Sequence, residues 1–429
     1  MRAVSDGEQG GYILVTHNPH NKERSFEQRT ASALCCDLDE RIVGITGAAG
    51  TGKTTVLGDA YAELAPRHTV TLAAPTGRAA KRITELTGIP SKTVHRLLEF
   101  PTPEEIRDAN TREITLVPGE PKRNAFNPLA ERVVIVDEAS MLSQTLYEQL
   151  MDACRGRTVV RFFGDNNQLA PVERSAGQLP PFFAILDRFS SVTLTYNYRS
   201  EDEIVSNAER ILNGNVPVRN SRFEIIYNEQ PIQFLLNFVT QEFAQENNQV
   251  IIPTRKNKAG TMLVNVSLQT RLNRQGKFLR LDRHDEKEAP LLVRPNDKFL
   301  WTKNDYQLNL FNGEIGVIED LDTESGELAI ATPDRQLKVP PAIRTYSPFH
   351  GSFIQYDPRR QIDLGYAVTT HKAQGSEFDT VIYCITTRGH YPLLDRRNFY
   401  TAVTRARQRV IVITDRSAMR LALRKASLT

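Results

Sequence analysis

The stretch Gly47-Ala48-Ala49-Gly50-Thr51-Gly52-Lys53-Thr54 follows a short apolar run, Arg41–Thr46, and leads into a helical pattern over Thr54–Leu64. A G-x-x-x-x-G-K-[ST] sequence in that setting leaves few folds open, because it needs a strand that ends at a helix N-terminus. Its glycines let successive backbone N–H groups curl around phosphate oxygens, and the helix adds the positive end of its dipole. Lys53 then reaches the outer phosphates as a point charge, and the Thr54 hydroxyl is placed to ligate Mg²⁺. A chance glycine-rich turn is the plain alternative, and the flanking strand and helix speak against it.

Further β-branched runs at Thr69–Ala74, Arg132–Val136 and Thr158–Phe163 alternate with helical patterns such as Gly77–Leu86, which predicts an α/β fold with parallel strands. The scheme recurs at Ser191–Thr195, Gln249–Pro253, Thr380–Ile385 and Val410–Thr414, read as strands of a second sheet. A chain of 429 residues suits such a division, since one core rarely serves more than about 250–300 residues. Two intervals break the alternation. Residues 99–130 are polar and proline-bearing, and residues 256–360 carry β-like stretches (DKFLWT, EIGVIEDL, ELAIAT) between Asn-Gly and Ser-Gly turns. The second interval predicts a small inserted β-barrel. The expected units are 1–98 with 131–188, the insertion 99–130, then 189–255 with 361–429, and the insertion 256–360.

No apolar run approaches the roughly 20 residues of a membrane span, and the start lacks a basic-then-apolar export pattern, so a cytoplasmic protein is expected. Cys35, Cys36, Cys154 and Cys384 show no metal or disulfide spacing and read as reduced thiols. A net charge of only +3 excludes a basic shell, so any nucleic-acid surface must be a local groove.

Two more strand ends carry polar groups. Val133-Val134-Ile135-Val136 stops at Asp137-Glu138, where Asp137 suits the Mg²⁺ shell and Glu138 the attacking water. Alone, a pair of acids after a strand is as readily a solvated helix start. Phe163-Gly164-Asp165-Asn166-Asn167-Gln168 ends a third strand, with Gln168 in reach of phosphate and water, although a simple Asx turn explains Asp165 and Asn166 as well.

In chain order the sequence holds GAAGTGKT, APTGRAA, TVHRLL, VDEAS, GDNNQLAPV, LTYNYRS, AVTTHKAQGSEFD and YTAVTRAR. This series resembles the motifs of superfamily 1 helicases, in the style of branch B with its RecD-like and phage Dda-like members, from about Gln28 to Arg407. The resemblance implies an ATP-driven, 5′-to-3′ motor on DNA, using ATP and Mg²⁺, with single-stranded and forked duplex DNA as partners. It implies two RecA-like parallel-sheet domains, with a pin in the first insertion and an SH3-like barrel in the second. A monomer is expected, with replication or recombination proteins as possible company.

Residue by residue, the resemblance makes Gly47, Ala48, Ala49, Gly50, Thr51, Gly52, Lys53, Thr54 and Thr55 the phosphate-binding run. Gln28 in SFEQRTA matches the glutamine that reads adenine, and Tyr198 in NYRS the aromatic that stacks on it; a solvated glutamine and a core tyrosine are the alternatives. Arg199 and Arg405 match the two arginines brought to the γ-phosphate, for which a planar permanent charge is suited. Gln374, Gly375 and Glu377 match the loop linking nucleic acid to nucleotide. Thr76, His95, Thr370, His371 and Lys372 match backbone contacts to the strand, which need no base reading. Arg78, with Lys81 and Arg82, either deepens that groove or forms a solvated basic face. Phe100 is either a wedge that stacks on the terminal base pair or an ordinary loop anchor. The interval Val339–Ile362 leaves no room for the long arch of Dda-like enzymes, which implies a less rigid pin. A translocase with little unwinding alone and a binding module gated by nucleotide are the other readings; no extra carboxylate cluster supports a nuclease.

Overall fold

In the computed structural model, which describes residues 24–100, 104–107, 114–117, 120–171, 179–198, 202–245, 247–283, 288–305, 307–347 and 352–424, two parallel sheets carry the chain. The first contains β1 (Ile42–Gly47), β2 (Val70–Ala74), β3 (Ser91–Thr93), β6 (Val133–Val136), β7 (Val159–Gly164) and β8 (Ser190–Leu194). The ribbon β4 (Glu104–Arg107) and β5 (Ile114–Val117) forms an antiparallel pair outside it. The sheet order is β3-β2-β6-β7-β1-β8, and every pairing is parallel. This places the ends of β1, β6 and β7 side by side at the centre, where ligands bind in open α/β sheets. β1 is buried along its whole length and β6 likewise, as strands covered on both faces must be.

The second parallel sheet runs Ala367–Thr369, Asn248–Ile252, Phe378–Ile385, Ala406–Thr414, Phe223–Tyr227. The sequence reading needs one correction here. The run Ser191–Thr195, expected in this sheet, forms β8 and pairs with β1 on the far edge of the first. The edge of the second sheet is instead Phe223–Tyr227, a strand the reading passed over. Both are short runs of similar texture, and which sheet each joins depends on partners more than a hundred residues away.

The second insertion contributes Lys298–Trp301, Ile315–Leu321, Leu328–Thr332 and Arg335–Val339 to a five-stranded antiparallel sheet, completed by Ile362–Leu364 just beyond it. Its core is continuous with the second parallel sheet: Phe299, Trp301, Ile318 and Ile330 belong to one cluster with Val250, Ile252, Ile382 and Ile413. The opposite face, with Ile251, Val381, Tyr383 and Val412, packs on a separate cluster that includes Met419 and Leu423 of the last helix, Arg416–Arg424. Period-two burial explains the division, since alternate residues of one strand serve opposite faces. The interval Val339–Ile362 is too short for an arch, as read, yet it forms a hairpin, Ile343–Ser347 with Ser352–Tyr356.

Five helices position the site. Helix α1 (Phe26–Cys36) starts with a capping box in which the Ser25 hydroxyl accepts the Gln28 N–H. Helix α2 (Lys53–Leu64) follows the glycine loop, and α3 (Gly77–Thr87) is capped by Thr76 and stopped by Gly88 at φ 71°. Helices α4 (Val94–Leu97) and α5 (Gln144–Ala153) pack on the other face. Arg161 of β7, within an apolar run, is fully buried and donates to the carbonyls of Cys35, Asp37 and Glu40. Those carbonyls lie at and just beyond the C-terminus of α1, so one arginine ties that helix to the sheet. Among the described residues no helix is long and apolar enough to cross a membrane, and all four cysteines are free.

Candidate nucleotide site and strand groove

The loop after β1 bends on Gly50 and Gly52, at φ 88° and 84°, a region side chains avoid. Thr51 donates its hydroxyl to Ala48 O at 2.9 Å, closing the turn. Lys53 Nζ lies inside the loop and donates to Gly47 O at 2.6 Å and Ala48 O at 3.0 Å. Thr54 and Thr55 occupy the first turn of α2, half-buried at the mouth of the loop.

Two neighbouring strand ends supply the acids. Asp137 closes β6, and Glu138 follows in the left-handed region at φ 51°, with its N–H donating to Asp137 Oδ1 at 2.8 Å. Burial, and after it the Glu138 charge, pushes the Asp137 carboxyl up to about 6. The Thr54 hydroxyl and a carboxylate under such repulsion form a hard oxygen donor set that a divalent cation would relieve, which fits Mg²⁺. Past β7, Asp165 is fully buried and Gln168 nearly so. Gln168 Nε2 lies 3.4 Å from Asp165 Oδ2, and its Oε1 is buried without a protein partner.

Gln28 and Tyr198, far apart in sequence, meet at 2.5 Å through the Tyr198 hydroxyl and Gln28 Oε1. Glu27 brings them together: its carboxylate accepts the N–H groups of Thr195 (2.6 Å) and Tyr196 (3.1 Å), pinning the chain after β8 onto α1. Gln28 Nε2 also donates to Thr51 O at 3.3 Å, so this polar pair borders the glycine loop. Arg199 lies outside the described residues.

The second half reaches this site chiefly through a residue the sequence reading missed. Tyr400, buried in the helix Arg396–Val403, donates to Asp165 Oδ2 at 2.7 Å and accepts the Ala49 N–H at 3.2 Å. Its neighbour Thr401 accepts the Leu169 N–H at 3.0 Å, and Gln374 donates to Leu169 O at 2.8 Å. The stretch YTAVTRAR, which supplies Arg405, carries the signal for Tyr400 as well. Arg405 is 3% exposed; its Nε donates to Thr401 O at 3.1 Å, and its Nη1 has no partner. A buried guanidinium with an unsatisfied N–H is a group arranged for an anion. Between the halves lies a cleft of about 450 Å³ lined by Ala48, Ala49, Glu377, Tyr400 and Arg407. Gly375, at φ 72°, faces Ala79 and Thr76 of α3 and belongs to the seam between the halves.

A second cleft, of about 540 Å³, gathers Thr76, Arg78, His371 and Lys372 with Thr254 and Asn312. Four of the seven residues assigned to the strand therefore share one groove. Of the other three, Thr370 and Phe100 need correction, and His95 does not line this groove. Thr370 is fully buried and donates to Asn398 Oδ1 at 2.7 Å, so its hydroxyl serves the core. The His95 ring meets that of Phe100 at a tilt of 55°, centroids 5.1 Å apart, and burial holds its imidazole below the usual histidine range. Phe100 itself packs against the core formed by β6, α4 and α5, at the foot of the β4–β5 ribbon and not at its tip. The wedge reading of Phe100 thus gives way to the loop anchor. The basic face of α3 is not solvated either: Arg78 donates to Gly313 O at 3.0 Å, Lys81 pairs with Asp334 at 2.6 Å, and Arg82 pairs with Glu377.

Comparison with known proteins agrees with this geometry. A family described as an AAA domain matches residues 24–232, and the UvrD-like helicase C-terminal domain matches residues 364–413. The chain is 31% identical over 413 residues to the ATP-dependent RecD2 DNA helicase of Deinococcus radiodurans, covering 94% of this chain and 51% of that protein. It therefore spans about half the length of that relative. It is 28% identical to the RecBCD enzyme subunit RecD of Mycolicibacterium smegmatis, covering 93% of this chain and 73% of the other. Among solved structures, a Pif1 helicase from Bacteroides in complex with ADP-AlF3 and ssDNA is similar with a TM-score of 0.59 at 19% identity, over 93% of this chain and 94% of that one.

Proposed function

We propose that this chain is a RecD-like helicase of superfamily 1B, which hydrolyses ATP to travel 5′ to 3′ along single-stranded DNA and open the duplex ahead. The observation that carries the reading is Tyr400. One hydroxyl from the second half joins the Ala49 N–H of the glycine loop to Asp165 of the neighbouring strand end. The nucleotide site is thus assembled from both halves, and a change at the phosphates is felt by the element that also carries Arg405.

In this reading Lys53 leaves its loop carbonyls for the β- and γ-phosphates, while Gln28 and Tyr198 receive the base. Thr54 and Asp137 hold Mg²⁺, whose charge offsets that of the phosphates. Glu138 takes the proton of the attacking water, Gln168 orients that water, and Arg405, with Arg199, answers the charge spread over the γ-phosphoryl oxygens. Thr76 from the first half, and His371 and Lys372 together from the second, grip the strand by its backbone, so closure of the halves moves one grip relative to the other. The β4–β5 ribbon serves as the pin, and the five-stranded antiparallel sheet as the SH3-like barrel.

The test is ATP hydrolysis and strand displacement on forked DNA with only a 5′ or only a 3′ tail, with Lys53→Ala as control. Displacement from the 5′ tail alone, absent in the control, is expected; displacement from the 3′ tail alone would reject the polarity. A second reading, a translocase working inside a larger complex, is favoured by the burial of Phe100 and by the RecBCD subunits among the relatives. Strong DNA-stimulated hydrolysis without displacement would select it.

A further inference from the structure

Three cations project from α3, and each meets a partner from the other half of the chain or from the antiparallel sheet. Lys81 has two carboxylates within reach, Asp334 and Glu314, both of the second insertion, whereas the two that face Arg82 come from opposite halves. Arg82 Nη2 donates to Glu377 Oε1, while its Nη1 stands 4.0 Å from Glu138 Oε1. The other oxygen of Glu377 accepts from Arg407 Nε at 3.0 Å. A line of alternating charge, Glu138–Arg82–Glu377–Arg407, therefore crosses the seam. Arg82 Nε is buried without a partner, so the guanidinium is not held by a complete set of hydrogen bonds. The Glu138 backbone is held at both ends, its N–H donating to Asp137 Oδ1 and its O accepting the Met141 N–H at 2.9 Å, while among the described residues its carboxylate has no hydrogen bond.

We propose that Arg82 is a positioning residue that restrains Glu138 while the halves are apart and releases it when Glu377 arrives. One guanidinium faces two carboxylates that belong to opposite sides of a moving seam. With the halves in contact, as here, Glu377 holds the guanidinium and the distance to Glu138 exceeds a hydrogen bond. Withdrawing the second half removes Glu377 and leaves Glu138 as the nearest remaining anion. A charge-assisted pair with Arg82 then engages the carboxylate oxygens that would otherwise take a proton from water. Arg82 thereby suppresses turnover until a bound strand brings the halves together. The inference rests on the reading of Glu138 as the group that activates water.

The test measures kcat and KM for ATP with and without oligo-deoxythymidine for the full chain and for Arg82→Ala and Arg82→Lys. Arg82→Ala is expected to raise the DNA-free kcat roughly two- to fivefold, the worth of a part-shielded ion pair, at unchanged KM. The DNA-stimulated rate should change less, so that the stimulation ratio falls, and Arg82→Lys should restore a low DNA-free rate. A fall in the stimulated kcat with the DNA-free rate unmoved would mean that Arg82 serves the productive state, and the proposal would be wrong. Equal losses in both rates for both variants would reduce Arg82 to a structural role and also overturn it. If the unmodified chain shows no DNA stimulation, or if Lys53→Ala hydrolyses as well as it does, the underlying reading fails and the proposal with it.

Discussion

Tyr400 has a single hydroxyl and two obligations: it donates to a buried carboxylate and accepts an N–H of the glycine loop. Tyr400→Phe keeps the ring and removes both. Asp165 Oδ2 is then left with Gln168 at 3.4 Å, and hydrogen bonds to charged groups contribute about 1.5–3 kcal/mol. We expect a loss of that order in the urea unfolding free energy and a several-fold drop in DNA-stimulated turnover, measured on the same preparation. Unaltered turnover would remove Tyr400 from the coupling path. Lys298 offers a separate test through pH. It is nearly fully buried, donates to Asn248 O at 2.6 Å, and burial pushes its ammonium down from 10.5 to about 7. Between those values the unfolded chain binds the proton and the folded chain does not, so stability rises with pH. The destabilising effect is complete below about 7 and fades as pH climbs toward 10.5. Lys298→Met should therefore flatten this slope: in urea titrations at several pH values between these limits, the original chain gains stability relative to the variant. Parallel slopes would contradict the burial argument.

At the scale of elements, the β4–β5 ribbon and its foot separate cleanly. Phe100 meets the His95 ring at a tilt and packs on the core of the first sheet, so it anchors the ribbon without forming its tip. Phe100→Ala is expected to cost about 1–3 kcal/mol of stability, less than a fully buried phenylalanine, while displacement per hydrolysed ATP stays close to normal. Replacing residues 104–117 by a short glycine-serine linker should do the opposite, sparing hydrolysis and abolishing displacement. If the linker variant still separates strands, the ribbon is not the pin. The alternating text of the strands was legible because burial on both faces demands unbroken apolar runs, as in Val133–Val136. Arg161 shows where that text misleads: an arginine inside such a run looks like a strand edge, yet here it is fully buried and satisfied by carbonyls at the end of α1.

At the scale of the molecule, cations that would line a strand groove are largely committed to protein. Arg78 holds Gly313 O, Lys372 donates to Asn312 Oδ1 at 2.6 Å, and Arg255 pairs with Glu288 at 3.3 Å. Few phosphates can then be neutralised by unshared charge, in keeping with a net charge of +3. Single-stranded binding weakens with salt at a log–log slope of about −0.7 per phosphate neutralised, so a slope no steeper than about −2 is expected. A fluorescence-anisotropy series in rising salt measures it directly. A much steeper slope would mean that a basic surface outside this groove carries the strand.

The sequence alone determined the glycine loop, the acids at the end of β6, the polar end of β7 and the alternation that makes parallel sheets. These are local: each needs only a strand, a turn and a few side chains within about ten residues. Tertiary structure decided what depends on partners distant in sequence. It placed Ser190–Leu194 beside β1 in the first sheet, because a short edge strand carries no mark of its sheet. It turned Thr370 and Phe100 inward, since motif membership fixes a residue's neighbourhood but not which way its side chain faces. It also committed the cations of α3 to the opposite half, because the sequence shows charge while only the fold shows which charges meet.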